Sequence, residues 1–162
     1  MMQLNQFTDT TALNQDFAQR LVTILQQAIS ERGAAYLVVS GGKTPQALFN
    51  TLSQTDLAWD KVTVLLADDR WLDDSQQDSN ERLVKATLLQ YKASAAQFIS
   101  LYANTASAFD GAAQVLPRVA ALPAFDAVIS ITPQGKFPIT PSALPRASNC
   151  ASVSEVAVGI SA

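Results

Sequence analysis

Near the start of the chain the apolar positions follow a helical spacing, and further along they form continuous runs. The helical set has Gly33 after it as a stop signal and consists of Leu13, Phe17, Leu21, Ile24, Leu25 and Ala28. Residues 34–40 and 62–67 are short and almost wholly apolar, which is typical of strands covered on both faces of a sheet. The pattern therefore predicts a helix that ends near Gly33 and two buried strands.

Helix-start signals follow both of these strands. A short helix is predicted over residues 44–52, with Thr44 as its N-cap and Pro45 in the first helical position, where a missing N–H is tolerated. Another helix is predicted to begin at Asp78, because Glu81 follows three residues later as in a capping box.

Three further elements complete the predicted order. Residues 98–101 are expected to form a weak short strand, and residues 105–116 an alanine-rich helix that Pro117 breaks or kinks. Residues 125–131 are again apolar enough for a buried strand.

Strands and helices thus alternate, and the sequence predicts an α/β fold. We expect a doubly wound, mostly parallel sheet with helices on both faces, Rossmann-like and incomplete at its C-terminal end. Residues 1–132 are expected to form one domain, and residues 133–162 a tail rich in Pro, Ser and Ala that is not a separate domain. Ligands of such sheets bind beyond the carboxyl ends of the strands.

The first predicted strand is followed by the sequence Ser-Gly-Gly-Lys-Thr-Pro, directly before a predicted helix. Glycines let the backbone approach a ligand closely, the N–H groups of a helix start attract anions, and a lysine adds a positive charge. This arrangement favours a phosphate-binding loop formed by Ser40, Gly41, Gly42, Lys43 and Thr44. The same two glycines also fit a plain strand-to-helix turn.

Two better-known nucleotide loops are excluded by spacing. A Walker A loop needs a glycine five residues before its Gly-Lys-Thr, and Leu37 stands there. A dinucleotide fingerprint needs a third glycine at a fixed spacing, which is missing after Gly42.

The second strand ends in Asp68, Asp69 and Arg70, at the same predicted edge of the sheet. An arginine can bind a phosphate or carboxylate through two parallel hydrogen bonds. Alternation along a strand sends the two aspartates to opposite sides, and the sequence leaves open which of them faces a ligand. As an alternative, the aspartates cap the next turn and Arg70 is their solvated partner. Residues 78–80 are interpreted as helix capping, and Trp71 as a local packing residue.

Composition limits the partners that this protein is expected to bind and its expected location in the cell. The chain has 162 residues with a net charge of −3 and no basic run, which argues against nucleic acid. No stretch is apolar enough to span a membrane. Cys150 is the only cysteine, so no internal disulfide is possible and a cytoplasmic location is expected. We expect a monomer or a weak homo-oligomer.

Histidine is absent from the sequence. This excludes Ser-His and Cys-His nucleophile pairs within the chain and argues against a zinc site, and no metal is expected. Acid–base chemistry must then use Asp, Glu, Lys or Tyr.

In their order and spacing, these motifs resemble 6-phosphogluconolactonases. The resemblance rests on the blocks at residues 40–45, 68–70 and 78–80, with Trp59 before the second strand. The usual family forms are Ser-Gly-Gly-Ser/Thr-Thr-Pro and Asp-Glu-Arg, so Lys43 and Asp69 are departures. Related glucosamine-6-phosphate deaminases usually carry Thr-Gly-Ser-Thr-Pro and Asp-Glu-Tyr, which makes them the less similar group.

The resemblance implies hydrolysis of 6-phospho-D-glucono-1,5-lactone to 6-phosphogluconate in the oxidative pentose phosphate pathway, without a required cofactor. It implies that residues 40–44 hold the sugar phosphate and that Asp68 and Arg70 line the active site. Residues 1–132 would then be a sugar-phosphate-binding domain.

One expected family feature has no counterpart. After the strand at residues 125–131, family members carry an Asp-Gly-His-Thr-Ala loop whose histidine activates water, whereas residues 132–141 here contain none. A truncation or a frame change near residue 131 would produce such a tail, and remodelling is the alternative. We therefore expect an impaired lactonase, with a non-catalytic sugar-phosphate-binding module or a glucosamine-6-phosphate deaminase/isomerase as alternatives.

Overall fold

The computed structural model describes residues 3–5, 7–129 and 156–158. Its main sheet has four parallel strands in the spatial order β4-β3-β2-β5, with bounds Ala35–Val39 (β2), Val62–Leu66 (β3), Gln97–Ile99 (β4) and Ala127–Ile129 (β5). A separate parallel pair joins Gln3–Asn5 (β1) to Val156–Val158 (β6). The predicted α/β fold with a parallel sheet is confirmed.

Four α-helices in the described residues connect or flank these strands. Their bounds are Thr10–Arg32 (α1), Gln46–Ser53 (α2), Asn80–Thr87 (α3) and Ala108–Ala120 (α4). Short 3₁₀ turns at Trp59–Lys61 and Tyr91–Ala95 precede β3 and β4. None of the helices in the described ranges is long and apolar enough to cross a membrane.

The order of the strands places a topological switch point beside β2. The chain runs outward from β2 to β3 and β4, and then returns across the sheet to β5 on the other side of β2. Since parallel crossovers are right-handed, α2 and α3 lie on one face and α4 on the other. The crevice at such a reversal, outside the carboxyl ends of the strands, is where ligands of these folds bind.

The central strands are buried on both faces, as their apolar runs predict. Val39 and Leu66 belong to the core that α1, α2 and α3 cover, whereas Val38 and Leu65 alternate with them and are buried on the opposite face. Burying each such side chain stabilises the fold by about 1.5–3 kcal/mol. The two loops that follow β2 and β3 are thus attached to a rigid base.

Two predicted helix caps were wrong. Thr44 makes no cap, because residues 43–46 form a turn closed by the Gln46 N–H and the Lys43 carbonyl before α2 begins. Asp78 is not the cap of α3 either. Ser79 takes that place, and its hydroxyl accepts a hydrogen bond from the Arg82 N–H.

The predicted break at Pro117 was also wrong, since α4 continues to Ala120, and the alternative, a kink at Pro117, stays a prediction. A proline frees the carbonyl one turn earlier, which here belongs to Ala113. Both residues are exposed, so water can bind that carbonyl and the helix survives.

Helix α1 ends as predicted. Gly33 has φ +78°, a left-handed conformation that favours glycine, and its N–H donates to the Ile29 carbonyl. The predicted tail at residues 133–162 lies outside the described residues except for β6, so the division into domain and tail stays a prediction.

Candidate functional site

The loop after β2 presents a row of backbone donors. Ser40 is tied to the sheet, because its N–H donates to the Ile129 carbonyl at the end of β5, at 3.0 Å. Beyond it, the N–H groups of Gly41, Gly42, Lys43 and Thr44 donate to no protein acceptor within residues 7–129. Successive unpaired N–H groups of this kind attract anions. The five residues predicted to bind phosphate thus share one loop at the switch point.

Gly42 gives this loop its shape. Its φ is +102°, in the region that side chains other than glycine rarely adopt. The turn that follows leaves the side chains of Lys43 and Thr44 exposed at the carboxyl edge of the sheet. The Lys43 ammonium group forms no salt bridge with any carboxylate in the described ranges, so it is available to an anion.

The loop after β3 separates the two aspartates. Asp68 is exposed, whereas Asp69 turns inward, and its Oδ1 accepts hydrogen bonds from the N–H groups of Arg70 (2.7 Å) and Asn80 (3.4 Å). Asp69 therefore shapes the turn, and Asp68 is the carboxylate left available to a ligand.

The environment of Asp69 disfavours the charged form of its carboxyl group. Its Oδ2 is buried without a hydrogen-bond partner in the described part of the chain. Burial raises the pKa of Asp69, and the nearby carboxylates of Glu81 and Asp68 add to the rise, against the two N–H donors that lower it.

Arg70 lies directly after this turn with an exposed guanidinium group. Its Nη1 is 3.5 Å from the carbonyl oxygen of Asp78, and it forms no salt bridge with a carboxylate of residues 7–129. A fork-shaped donor group without a carboxylate partner among residues 7–129, on the loop that follows the strand next to β2, suits a phosphate or carboxylate.

Asn80 connects the two loops, and sequence reasoning gave it only a capping role. It is 6% exposed, and its Nδ2 donates to the Asp68 carbonyl at 3.3 Å. Its side chain also fills the space beside Gly41, where a Cβ on residue 41 would overlap the carboxamide and lie 2.7 Å from the Asn80 Cβ. No local pattern signals this contact, because residues 41 and 80 meet only in the folded sheet.

Trp71 packs as the sequence predicted. It adopts φ +54°, its ring centroid lies 5.4 Å from that of Tyr102, and it sits directly against Gly111 of α4. The indole Nε1 is buried, with no partner among the described residues. Trp71 therefore anchors the loop after β3 to the opposite face of the sheet.

A buried carboxylate on α3 contacts the residue that follows β4. Glu81 is 6% exposed and accepts a hydrogen bond from the Ser100 hydroxyl, directly after β4, while the Lys85 Nζ lies 2.7 Å from its Oε1. Lys85 also contacts Asp74 at 2.7 Å, and the bonds to both carboxylates raise the pKa of Lys85. Glu81 thus makes these contacts in place of the predicted capping box.

Within the described ranges, no group of three or more His, Cys, Asp or Glu side chains is arranged to hold a metal ion. The chemistry of the site as described comes from backbone N–H groups, Lys43, Arg70 and Asp68.

Known proteins resemble this chain over the part that carries the site. The sequence profile of the family described as "Glucosamine-6-phosphate isomerases/6-phosphogluconolactonase" matches residues 8–130. A 6-phosphogluconolactonase of Mesorhizobium japonicum is 44% identical over 119 residues, which is 74% of this chain and 50% of that protein. One of Pseudomonas aeruginosa is 48% identical over 83 residues, 51% of this chain and 35% of that protein.

Solved structures agree with the sequence comparison. The crystal structure of a 6-phosphogluconolactonase from Shewanella baltica superposes with a TM-score of 0.77 at 40% identity, over 79% of this chain and 55% of that one. That from Thermotoga maritima shares the fold, with a TM-score of 0.68 at 16% identity, over 84% of this chain and 62% of that one. The chain spans about half the length of the relatives it matches. It belongs to the glucosamine-6-phosphate isomerase/6-phosphogluconolactonase family.

Proposed function

We propose that this chain binds 6-phosphogluconolactone and its product 6-phosphogluconate at the carboxyl edge of the sheet, and that it hydrolyses the lactone slowly. One observation carries the proposal. The N–H groups of residues 41–44, which have no acceptor among residues 7–129, and the Arg70 guanidinium, which has no carboxylate partner there, follow neighbouring parallel strands, β2 and β3. The relatives named as 6-phosphogluconolactonases supply the identity of the substrate.

The phosphate of the sugar is the group that fits this loop. A phosphate dianion accepts hydrogen bonds from successive backbone N–H groups, and the charges of Lys43 and Arg70 compensate its own. Each hydrogen bond to a charged group contributes about 1.5–3 kcal/mol. The sugar ring then extends from the phosphate across the edge of the sheet toward Asp68.

The hydrolysis needs a base, and Asp68 is the available one. In the proposed step a water oxygen attacks the lactone carbonyl carbon while one of its protons passes to the Asp68 carboxylate. The bond between the carbonyl carbon and the ring oxygen then breaks, and Asp68 returns the proton to that oxygen, which becomes a hydroxyl group. A carboxylate is a weaker base than the histidine that the family resemblance leads us to expect. Loss of a general base typically lowers a rate by about 10²–10⁴-fold.

A second candidate is a sugar-phosphate-binding module without turnover. The absence of histidine from the whole sequence favours it, because phosphate binding needs only the N–H row, Lys43 and Arg70. A cytoplasmic setting, in which sugar phosphates occur, is part of both proposals.

Two measurements on the purified chain separate these functions. Calorimetric titration with 6-phosphogluconate is expected to show binding, and lactone hydrolysis is expected to exceed the spontaneous rate while staying about 10²–10⁴-fold below that of a histidine-containing relative. Binding of 6-phosphogluconate without lactone hydrolysis would favour the non-catalytic binding module. Ammonia release from glucosamine 6-phosphate would instead identify a deaminase, and a titration without heat or thermal shift would reject all three.

A further inference from the structure

We propose that Asn80 is a positioning residue, which sets the distance between the N–H row of residues 41–44 and the guanidinium of Arg70. This inference deepens the proposed function and rests on it for the identity of the ligand. Asn80 itself is buried and does not need to touch the sugar phosphate.

Asn80 contacts both loops and the turn that precedes Arg70. Its side-chain amide donates to the Asp68 carbonyl at 3.3 Å, and its backbone N–H lies 3.4 Å from the Asp69 carboxylate. The other side of the carboxamide lies against Gly41, where no Cβ would fit. One side chain thus fixes where the backbone of each loop can lie.

The chemistry of the site requires an asparagine here. The carbonyl of Asp68 needs a donor, which an aspartate at position 80 would lack. An aspartate would also bring a third carboxylate beside Asp68 and Asp69, at the edge proposed to bind an anion. Alanine would remove both the donor and the volume that holds Gly41 in place.

If both loops bind one phosphate, the affinity depends on the distance between the two loops. Groups that are held in the bound geometry before the ligand arrives lose less entropy on binding. We therefore expect Asn80→Asp and Asn80→Ala to weaken 6-phosphogluconate binding tenfold or more. We also expect Arg70→Ala to cost much less affinity in the Asn80→Ala background than in the wild type, because Arg70 is then already misplaced.

The Gly41 contact supplies a test that is independent of ligand. Gly41→Ala should destabilise the wild-type chain. This destabilisation should shrink in the Asn80→Ala background, because the carboxamide is gone, but it should not vanish, because the Cβ at position 80 still lies 2.7 Å away. Lys61→Ala, directly before β3 and so at the amino edge of the sheet, is the matched control and should leave binding unchanged. Denaturant unfolding of every variant shows whether it is folded.

The results of these experiments distinguish a failure of the positioning role from a failure of the proposed function. Wild-type affinity in Asn80→Asp, or an undiminished effect of Arg70→Ala beside Asn80→Ala, would overturn the positioning role. If the wild type binds no 6-phosphogluconate, the proposed function fails, and the positioning role is then judged by amide hydrogen exchange. Asn80→Asp should speed exchange at residues 41–44 while α1 keeps its protection, and unchanged exchange at residues 41–44 would refute it.

Discussion

The indole of Trp71 occupies the space where a side chain on Gly111 would begin. A Cβ on Gly111 would overlap the six-membered part of the ring and would also lie 2.8 Å from the Thr105 hydroxyl oxygen. Trp71 follows Arg70 directly, so this contact between the loop after β3 and α4 anchors the proposed site from the opposite face of the sheet.

We expect Gly111→Ala to destabilise the chain by about 1–3 kcal/mol, because overpacking forces the indole or the helix to move. The intrinsic preference of helices for alanine, about 1 kcal/mol, offsets part of this. Denaturant unfolding measures the free energy. In a Trp71→Ala background the cost should fall, because only the close approach to the Thr105 hydroxyl remains, and an equal cost in both backgrounds would argue against the contact.

The buried carboxylate of Asp69 should give the chain an unusual pH dependence. Its pKa is raised in the folded state, so between the ordinary value of 3.8 and the raised one the folded chain binds more protons than the unfolded chain. Stability from this residue therefore increases as the pH falls through that interval, opposite to the behaviour of a salt-bridged carboxylate.

Comparison with Asp69→Asn isolates this effect from the other carboxylates. Unfolding free energies are measured for both proteins from neutral pH down to about pH 4. We expect the wild type to gain stability relative to Asp69→Asn on acidification, with a constant difference above the raised pKa. A relative loss on acidification would mean that the carboxylate is stabilised in its charged form.

Lys43 should contribute to anion binding through its charge alone, because its side chain is exposed. We expect Lys43→Ser, which restores a family form of the loop, to weaken 6-phosphogluconate binding about two- to fivefold at low salt, in line with exposed charge pairs. The difference should shrink as salt screens the charge.

Lys61 is the matched control for this prediction. It immediately precedes β3 and so lies at the amino edge of the sheet, opposite the loops. Lys61→Ser should leave the calorimetric affinity unchanged. Equal effects of the two substitutions would mean that net charge, and not the loop, governs binding.

Much of the fold was predictable because it depends on local pattern. The apolar runs that became β2 and β3 predicted strands buried on both faces, and the rule that parallel strands end at one edge brought the loops at residues 40–44 and 68–70 together. The β1–β6 pair was missed. Its strands are three residues each and pair across almost the whole chain, so neither carries a periodic signal.

The contacts that hold the site together were not predictable. The Gly41–Asn80, Trp71–Gly111 and Glu81–Ser100 contacts each join separate elements, and each residue has an ordinary local interpretation as turn, packing or cap. The helix caps failed for a related reason. Before α2 a turn over residues 43–46 displaces the cap, and at the start of α3 Asp78 and Ser79 are adjacent polar candidates while Glu81 bonds to Ser100 and not to the helix start.

Titration of isotope-labelled protein with 6-phosphogluconate, followed by amide NMR, is the most direct measurement of sugar-phosphate binding at the carboxyl edge of β2 and β3. We expect the largest saturable shifts at the amides of residues 41–44 and at Arg70, with α1 unaffected. Shifts that are confined to other parts of the chain, or no saturable shift at residues 41–44, would contradict a phosphate site at this edge.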